Sequence, residues 1–381
     1  MLIVLAGSSL ASYPDGGGVW SWMLQYPLGL RALGHNVFWI ELLESCGDRA
    51  RDRELANDFL ARVAAYGLAP HCAVLVFEDL DAQDISRAQV YGRPLQAILE
   101  VADGADLLWN MACSMRQPLL AKFARRVLID VDPGHLQVSA TQFEMGVSDH
   151  DVHLSVGAKL SDPDCEAPRL GLRWRPFLPF VYLPMWEAAP DPGPEAPFSS
   201  ITQWTWEELS YRGRVLSLSK REAYLRYVDL PARTGRAFEL AAFIGEKDPS
   251  HDREALRNGG WRIVDPHKVA GTPETYRGYL RASRAEISCP KPIFRELNTG
   301  WFSDRSVCYL ALGRPVVAED TGFGDAVPTG RGVVKFRDLV EAQAAVAEID
   351  RDYSLHSRWA RELACDLFNS DRQLKAMLAA C

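Results

Sequence analysis

Apolar residues recur along the first half of the chain in short runs: Leu2–Ala6, Asn36–Glu41, Cys72–Phe77, Ala105–Asn110, Arg126–Val131 and Val152–Val156. Each is too short for a buried helix and is followed by a turn or polar segment, so each predicts a strand. Helix-length segments lie between them, which is the rhythm of a parallel sheet with crossover helices. The rhythm stops after Trp186. Residues 187–198 carry four prolines, and repeated proline blocks both helices and central strands, so this stretch reads as a linker. The pattern then restarts with Ser199–Trp204, Ala237–Ala241, Trp261–Val264, Ala285–Ser288, Arg314–Ala318 and Gly332–Phe336. Residues 353–381 read as two helices broken near Asn369-Ser370, able to return toward the first half. The expected architecture is two α/β domains, 1–186 and 199–352, forming a cleft between their strand ends, where open α/β sheets bind ligands.

The composition narrows the function classes. The 381 residues are 48% hydrophobic and 24% charged, enough apolar material for sizeable cores. The net charge of −8 advertises no broad nucleic-acid surface. No apolar stretch approaches the roughly 20 residues that a membrane-spanning helix needs. The apolar start Met1–Ala6 is too short for a secretory leader and lacks a basic region. The eight cysteines are dispersed with no CxxC pair, which favours reduced thiols. A cytoplasmic protein is expected.

Several loops beyond predicted strands hold candidate chemistry. After the first run, Gly16, Gly17 and Gly18 precede a periodic helix, permitting a tight turn and close backbone approach; the alternative is a flexible loop over the sheet. The fifth run ends in Asp130-Val131-Asp132-Pro133-Gly134-His135, where Asp132 and His135 offer a carboxylate beside an imidazole to orient or deprotonate a hydroxyl. A helix cap at Asp132 and a metal-binding DxD are the alternatives there. Asp149-His150-Asp151-Val152-His153 with Cys165 has metal-like composition. In an extended segment its two imidazoles fall on opposite faces, so it reads as a polar turn into a strand.

In the second half, Arg212 and Lys220 belong to a basic cluster near the start of a predicted helix, suited to a diphosphate or simply solvated. Residues 298–318 are the densest signal. Ser303 suits a helix cap before Asp304, and Gly313 a helix terminator. Gly300 and the free amides near Asp304–Ser306 suit a phosphate, Arg305 adds charge, and Asp304 suits sugar or ribose hydroxyls. Asp320, Thr321 and Gly322 extend that surface beyond the next strand. The bland alternative for Arg305 is a surface ion pair with Asp304 or Asp325.

The arrangement around Gly300–Ala318, followed by Asp320-Thr321-Gly322-Phe323, resembles the C-terminal half of two-Rossmann-domain (GT-B) glycosyltransferases. The nearest group is the retaining sucrose-synthase-like or glycogen-synthase-like one. Segments 129–134, 227–231 and 300–306 look like those of a poorly characterised bacterial subfamily. The resemblance covers nearly the whole chain. It implies two Rossmann-like domains facing each other across a cleft, a nucleoside diphosphate sugar bound mainly by the C-terminal domain, and a small-molecule or carrier-linked acceptor on the N-terminal one. Gly16–Gly18 match the family's glycine-rich loop, and Lys220 its basic residue near the diphosphate. A frequent pair of glutamates would fall at Gly300 and Cys308 and is absent, leaving stereochemistry open. Asp132, His135 and Arg305 are the catalytic candidates. No essential metal ion and no cofactor beyond the donor are expected, because Lys220 with Arg305 can replace a cation. An epimerase or related diphosphate-handling enzyme, or a non-catalytic sugar- or nucleotide-binding regulator, are the alternatives.

Overall fold

The computed structural model describes the chain except residues 246, 247 and 250. Eight strands build the first sheet: β1 (Leu2–Gly7), β2 (Asn36–Glu44), β3 (Cys72–Phe77), β4 (Gln89–Tyr91), β5 (Leu107–Met111), β6 (Arg126–Asp130), β7 (Val152–Ser155) and β8 (Trp174–Pro176). Their order is β4-β3-β2-β1-β5-β6-β7-β8, parallel except for β4 on β3. Six more, β9 (Phe198–Gln203), β12 (Phe238–Phe243), β13 (Trp261–Val264), β14 (Ala285–Ser288), β15 (Val316–Glu319) and β16 (Val333–Phe336), form an all-parallel sheet ordered β13-β12-β9-β14-β15-β16. Between them in sequence, β10 (Glu208–Tyr211) and β11 (Arg214–Ser217) make a separate antiparallel hairpin. Strands such as Ile3–Ala6 and Cys72–Phe77 are buried throughout because helices cover both faces of a parallel sheet.

The helices are α1 (Gly17–Ala32), α2 (Arg49–Ala64), α3 (Leu95–Gly104) and α4 (His135–Ser139) in the first half. In the second half they are α5 (Lys220–Leu225), α6 (Leu230–Thr234), α7 (Asp252–Asn258), α8 (Pro266–Ala270), α9 (Pro273–Ala282), α10 (Pro292–Glu296), α11 (Asp304–Ala311) and α12 (Leu339–Arg351). The closing pair is α13 (Tyr353–Asp366) and α14 (Ser370–Ala380). Helix α11 follows its sequence signals. Ser303 Oγ accepts from the Arg305 amide at 3.2 Å. At the other end Gly313 adopts φ +74°, its amide reaches Leu310 O and that of Arg314 reaches Tyr309 O, both at 2.9 Å. That double bond pattern is a Schellman turn, which needs a left-handed residue where Gly313 stands. Helix α14 packs on α1, so tightly that a side chain at Gly29 would meet Leu374.

The basic cluster beside Lys220 departs from expectation. Residues 211–214 are a hairpin turn rather than a helix approach, with Arg212 at φ +50° and Gly213 at +74°, the conformation of a two-residue type I′ turn. Arg212 is exposed at the tip, its guanidinium 5.1 Å from the Tyr211 ring. The alternation reading missed this hairpin and the three-residue strands β4 and β8, which are too short to show a period.

The two halves are stitched together. Gly157 bridges Trp301, Lys159 N donates to Thr299 O and Glu166 N to Leu297 O, each at 3.0 Å. Gln142 Nε2 donates to Ser210 O of the hairpin at 2.9 Å, and Tyr66 Oη to Glu274 at 2.8 Å. The largest apolar core contains Leu216, Ile293, Phe294, Leu297 and Trp301 of the second half alongside the first sheet's residues.

Arg305 has neither of its expected acidic neighbours as partner. It is buried under the second sheet, where Nε donates to Glu286 Oε1 at 2.6 Å and Nη1 to Ile201 O at 2.7 Å. Glu286 stands in the central strand β14 and is fully buried, so Arg305 is its compensating charge. Removing one member of such a pair leaves an unpaired buried charge, whereas replacing both is far milder. Arg305→Ala is expected to lose about 3–5 kcal/mol in urea unfolding. Arg305→Met combined with Glu286→Leu is expected to recover most of that loss, and a single variant of native stability would refute the assignment.

Candidate active site

The strand order reverses beside β1, which lies between β2 and β5, and beside β9, which lies between β12 and β14. In open α/β sheets the crevice beyond the strand ends at such a point receives ligands. The loops after β1, β6, β11, β14 and β15 meet in this region.

Gly16, Gly17 and Gly18 serve the approach of the two halves. A Cβ on Gly17 would lie 2.4 Å from Ala270 O and 2.3 Å from Thr272 O, and one on Gly18 would press on the Tyr276 ring at 3.2 Å. A Cβ on Gly16 would enter the ring of Tyr13. Only glycine allows the start of α1 to rest directly on the α8–α9 backbone.

From the first sheet come Asp130, Asp132 and His135. Asp130 is fully buried, accepting from Gln137 Nε2 at 2.8 Å, Ser155 Oγ at 2.7 Å and the Asp132 amide at 3.0 Å. Burial pushes its carboxyl up to about 6 against the pull of those donors. It therefore fixes the loop, while Asp132 faces the cleft. Asp132 is not the cap of α4, a place taken by Gly134. Its Oδ1 meets Lys291 Nζ at 2.9 Å, and its Oδ2 lies 3.8 Å from His135 Nδ1. Burial raises the Asp132 carboxyl, but Lys291 and His135 outweigh it and hold it well below the ordinary carboxylate range.

From the second sheet come Lys220, Lys291, Ser303, Asp304 and Ser306. Lys220 opens α5 with its ammonium 5.7 Å from the centre of the Trp301 ring. Burial, then the positive charges of Arg305 and Lys291, lower its pKa from the usual 10.5 to about 7. Asp304 is the first residue of α11 and half-buried; burial raises its carboxyl, with Arg305 and Lys220 pulling the other way. Ser288, Trp301, Ser303, Ser306 and Glu319 line a small recess of about 10 Å³, the size of a single water. Ser306 Oγ is buried there with no hydrogen-bond partner. Asp304 and Lys220 feel each other's charge but form no ion pair, so a carboxylate and an ammonium stand unpaired at the start of α11, beside the recess that holds the Ser306 hydroxyl.

The rest of the expected surface is occupied by the protein itself. Gly300, at φ +71°, packs on Lys159. Asp320 accepts from the Gly322 amide at 2.9 Å and pairs with Lys335 at 3.1 Å and Arg337 at 3.2 Å. Thr321 donates its hydroxyl to Trp301 O at 2.5 Å. Thr321 thus ties the 298–303 segment in place, its carbonyl also accepting from the Gly300 amide at 2.8 Å, while Asp320 is consumed by its two cations. His150 and His153 both address Val147 O, at 3.3 and 2.8 Å, against the expectation of opposite faces. The reason is that His150 precedes strand β7, so strand alternation does not relate the two.

Sequence reading passed over Lys291 and the rings that support both lysines. Its signal was the position of Pro290-Lys291-Pro292 immediately beyond the strand run Ala285–Ser288. No helix among the described residues is long and apolar enough to cross a membrane.

No protein-family model matches the chain, and no curated protein matches it. Solved structures do. An alpha-glucosyltransferase in complex with UDP and a 13-mer DNA containing a HMU base has a TM-score of 0.58 at 12% identity, covering 100% of this chain and 99% of its own. HepE of Anabaena in complex with UDP has 0.57 at 13% identity, covering 100% of both chains. Sucrose-phosphate synthase of Thermosynechococcus elongatus has 0.53 at 14% identity, covering 100% of this chain and 98% of its own. Two largely parallel sheets facing across a cleft, matched end to end by these structures, are the GT-B fold, and this chain has it.

Proposed function

We propose that the protein transfers a sugar from a nucleoside diphosphate sugar to a small-molecule or carrier-linked acceptor. The observation that carries this reading is Lys220: a half-buried lysine with no ion-pair partner among the described residues, in the cleft where the two sheets' strand ends meet. A partly desolvated ammonium without a counter-ion is costly, and an anionic ligand offsets the cost. The fold's solved examples bound to UDP give that anion its chemistry.

In this reading residues 1–186 carry the acceptor and residues 199–352 the donor, with 187–198 as the link. Glycosyl transfer builds cationic character at the anomeric carbon and negative charge on the departing diphosphate. Lys220, the first amides of α11 and the hydroxyls of Ser303 and Ser306 meet the diphosphate side. Asp304 takes sugar or ribose hydroxyls, and Asp132 with His135 addresses the acceptor hydroxyl. Arg305 acts at one remove. Its guanidinium is held by Glu286, and its charge depresses the pKa of Lys220.

Turnover is tested by following release of nucleoside diphosphate from a donor panel with diverse acceptors; no binding and no release across the panel would refute the reading. A sharper expectation concerns pH. Because Lys220 of the free protein loses its proton near 7, UDP affinity is expected to fall up to about tenfold per pH unit above pH 7. Lys220→Met is expected to flatten that dependence and lower affinity.

The same variant has a stability consequence of opposite sign. A lysine depressed in the folded state and ordinary in the unfolded one destabilises the protein at and below pH 7, and the penalty fades as pH rises toward 10.5. Lys220→Met is therefore expected to melt higher than the native protein at pH 6–7, with the difference shrinking by pH 10. A lower melting temperature at pH 6–7 would show that the ammonium is structurally paired.

A further inference from the structure

Lys291 and Lys220 share one support. Lys291 Nζ lies 5.6 Å from the centre of the Phe294 ring, Lys220 Nζ lies 5.7 Å from that of Trp301, and the two ring centres are 4.7 Å apart. A packed aromatic pair thus carries two ammonium groups toward one cleft, an arrangement that costs mutual repulsion unless an anion answers it. The anion present is Asp132, which belongs to the opposite half of the molecule and reaches Lys291 at 2.9 Å. While Lys291 holds one carboxylate oxygen, the other stays 3.8 Å from His135 Nδ1, too far for a hydrogen bond.

We propose that Asp132 is an internal stand-in for the donor's diphosphate, and that Lys291 is a second leaving-group ligand that exchanges Asp132 for the diphosphate oxygens when donor binds. This rests on the donor reading of the cleft. Once Lys291 has moved to the donor, Asp132 is free to close on His135 Nδ1–H, which fixes the tautomer and leaves Nε2 able to accept a proton. In the transfer step the bond from the anomeric carbon to the diphosphate oxygen breaks and its electron pair leaves on the diphosphate. The acceptor oxygen forms the new bond to that carbon, and its proton passes to His135 Nε2. Lys220 and Lys291 together hold the released diphosphate. The exchange couples donor arrival to preparation of the acceptor side: without donor, Asp132 is engaged elsewhere.

The two members of the pair therefore have opposite effects on donor affinity, which a plain bridge between the halves would not produce. The experiment is titration calorimetry of UDP, with GDP and ADP beside it, on the native protein, Asp132→Asn, Lys291→Met and the double variant, together with single-turnover transfer and melting temperature. Asp132→Asn is expected to bind nucleoside diphosphate about three- to tenfold more tightly, because a competing carboxylate is gone, while transfer falls at least about a hundredfold. Lys291→Met is expected to bind at least about tenfold more weakly, and the double variant to resemble Lys291→Met rather than the sum of the two. If the native protein binds but Asp132→Asn binds no more tightly, or Lys291→Met binds equally well, the pair is only a bridge between the halves and the proposal falls while the donor reading stands. If the native protein binds none of the three diphosphates, the donor reading falls and takes this proposal with it.

Discussion

The buried ion pair between Glu286 and Arg305 is the constraint around which the second half is arranged. A carboxylate in the central strand of a parallel sheet is tolerable only with a compensating charge at hydrogen-bond distance. That charge comes from the second residue of α11, so the pair fixes where α11 begins relative to β14. Ser303 caps the helix at this point, Asp304 is turned into the cleft, and Trp301 and Phe302 are drawn into apolar cores on either side. The guanidinium also raises the local positive potential and helps to keep Lys220 near its titration point. A buried residue thereby adds, second to the burial of Lys220 itself, to the electrostatics of the candidate site.

The cleft is built by charge that the protein leaves unbalanced. Most ionic groups near it are consumed: Asp320 by Lys335 and Arg337, Glu319 by Arg226 and Arg295, Lys159 by Asp164 and Asp325. Against that background Lys220 and Asp304 stand out because they face each other's neighbourhood without pairing. The stability that their pairing would have supplied is held back, in keeping with the proposed binding of a charged ligand.

Much of the fold was legible because buried parallel strands announce themselves as continuous apolar runs, and the breaks between them fall at Gly, Pro and charged residues. The hairpin β10–β11 was not, since Glu208–Ser217 is short, half-exposed and rich in arginine, so it reads as a charged surface segment. The helix cap at Ser303 and the turn at Gly313 followed from local backbone chemistry, which sequence carries directly. The partner of Arg305 did not, because Glu286 is 19 residues away and ordinary strand grammar gives no reason for a carboxylate there. Lys291 was invisible for a related reason. Its proposed role comes from Asp132, 159 residues distant, and from a pair of tilted rings brought together by tertiary packing. Asp320, Thr321 and Gly322 show the converse: a polar, glycine-bearing loop at a strand end looks like a ligand surface until its hydrogen bonds are followed to other parts of the chain.

The shared apolar core changes what kind of object this two-sheet molecule is thermodynamically. Leu216, Ile293, Phe294 and Trp301 of the second half and Leu374 and Met377 of α14 are buried within the same cluster as the first sheet's strands. The β10–β11 hairpin, α10 and α14 cannot lose their packing without exposing surface of the first sheet, while the second sheet's own strands pack in separate clusters. A destabilising change in those elements is therefore felt by the first half, and cleft opening becomes a bend about this core rather than a parting of two independent bodies.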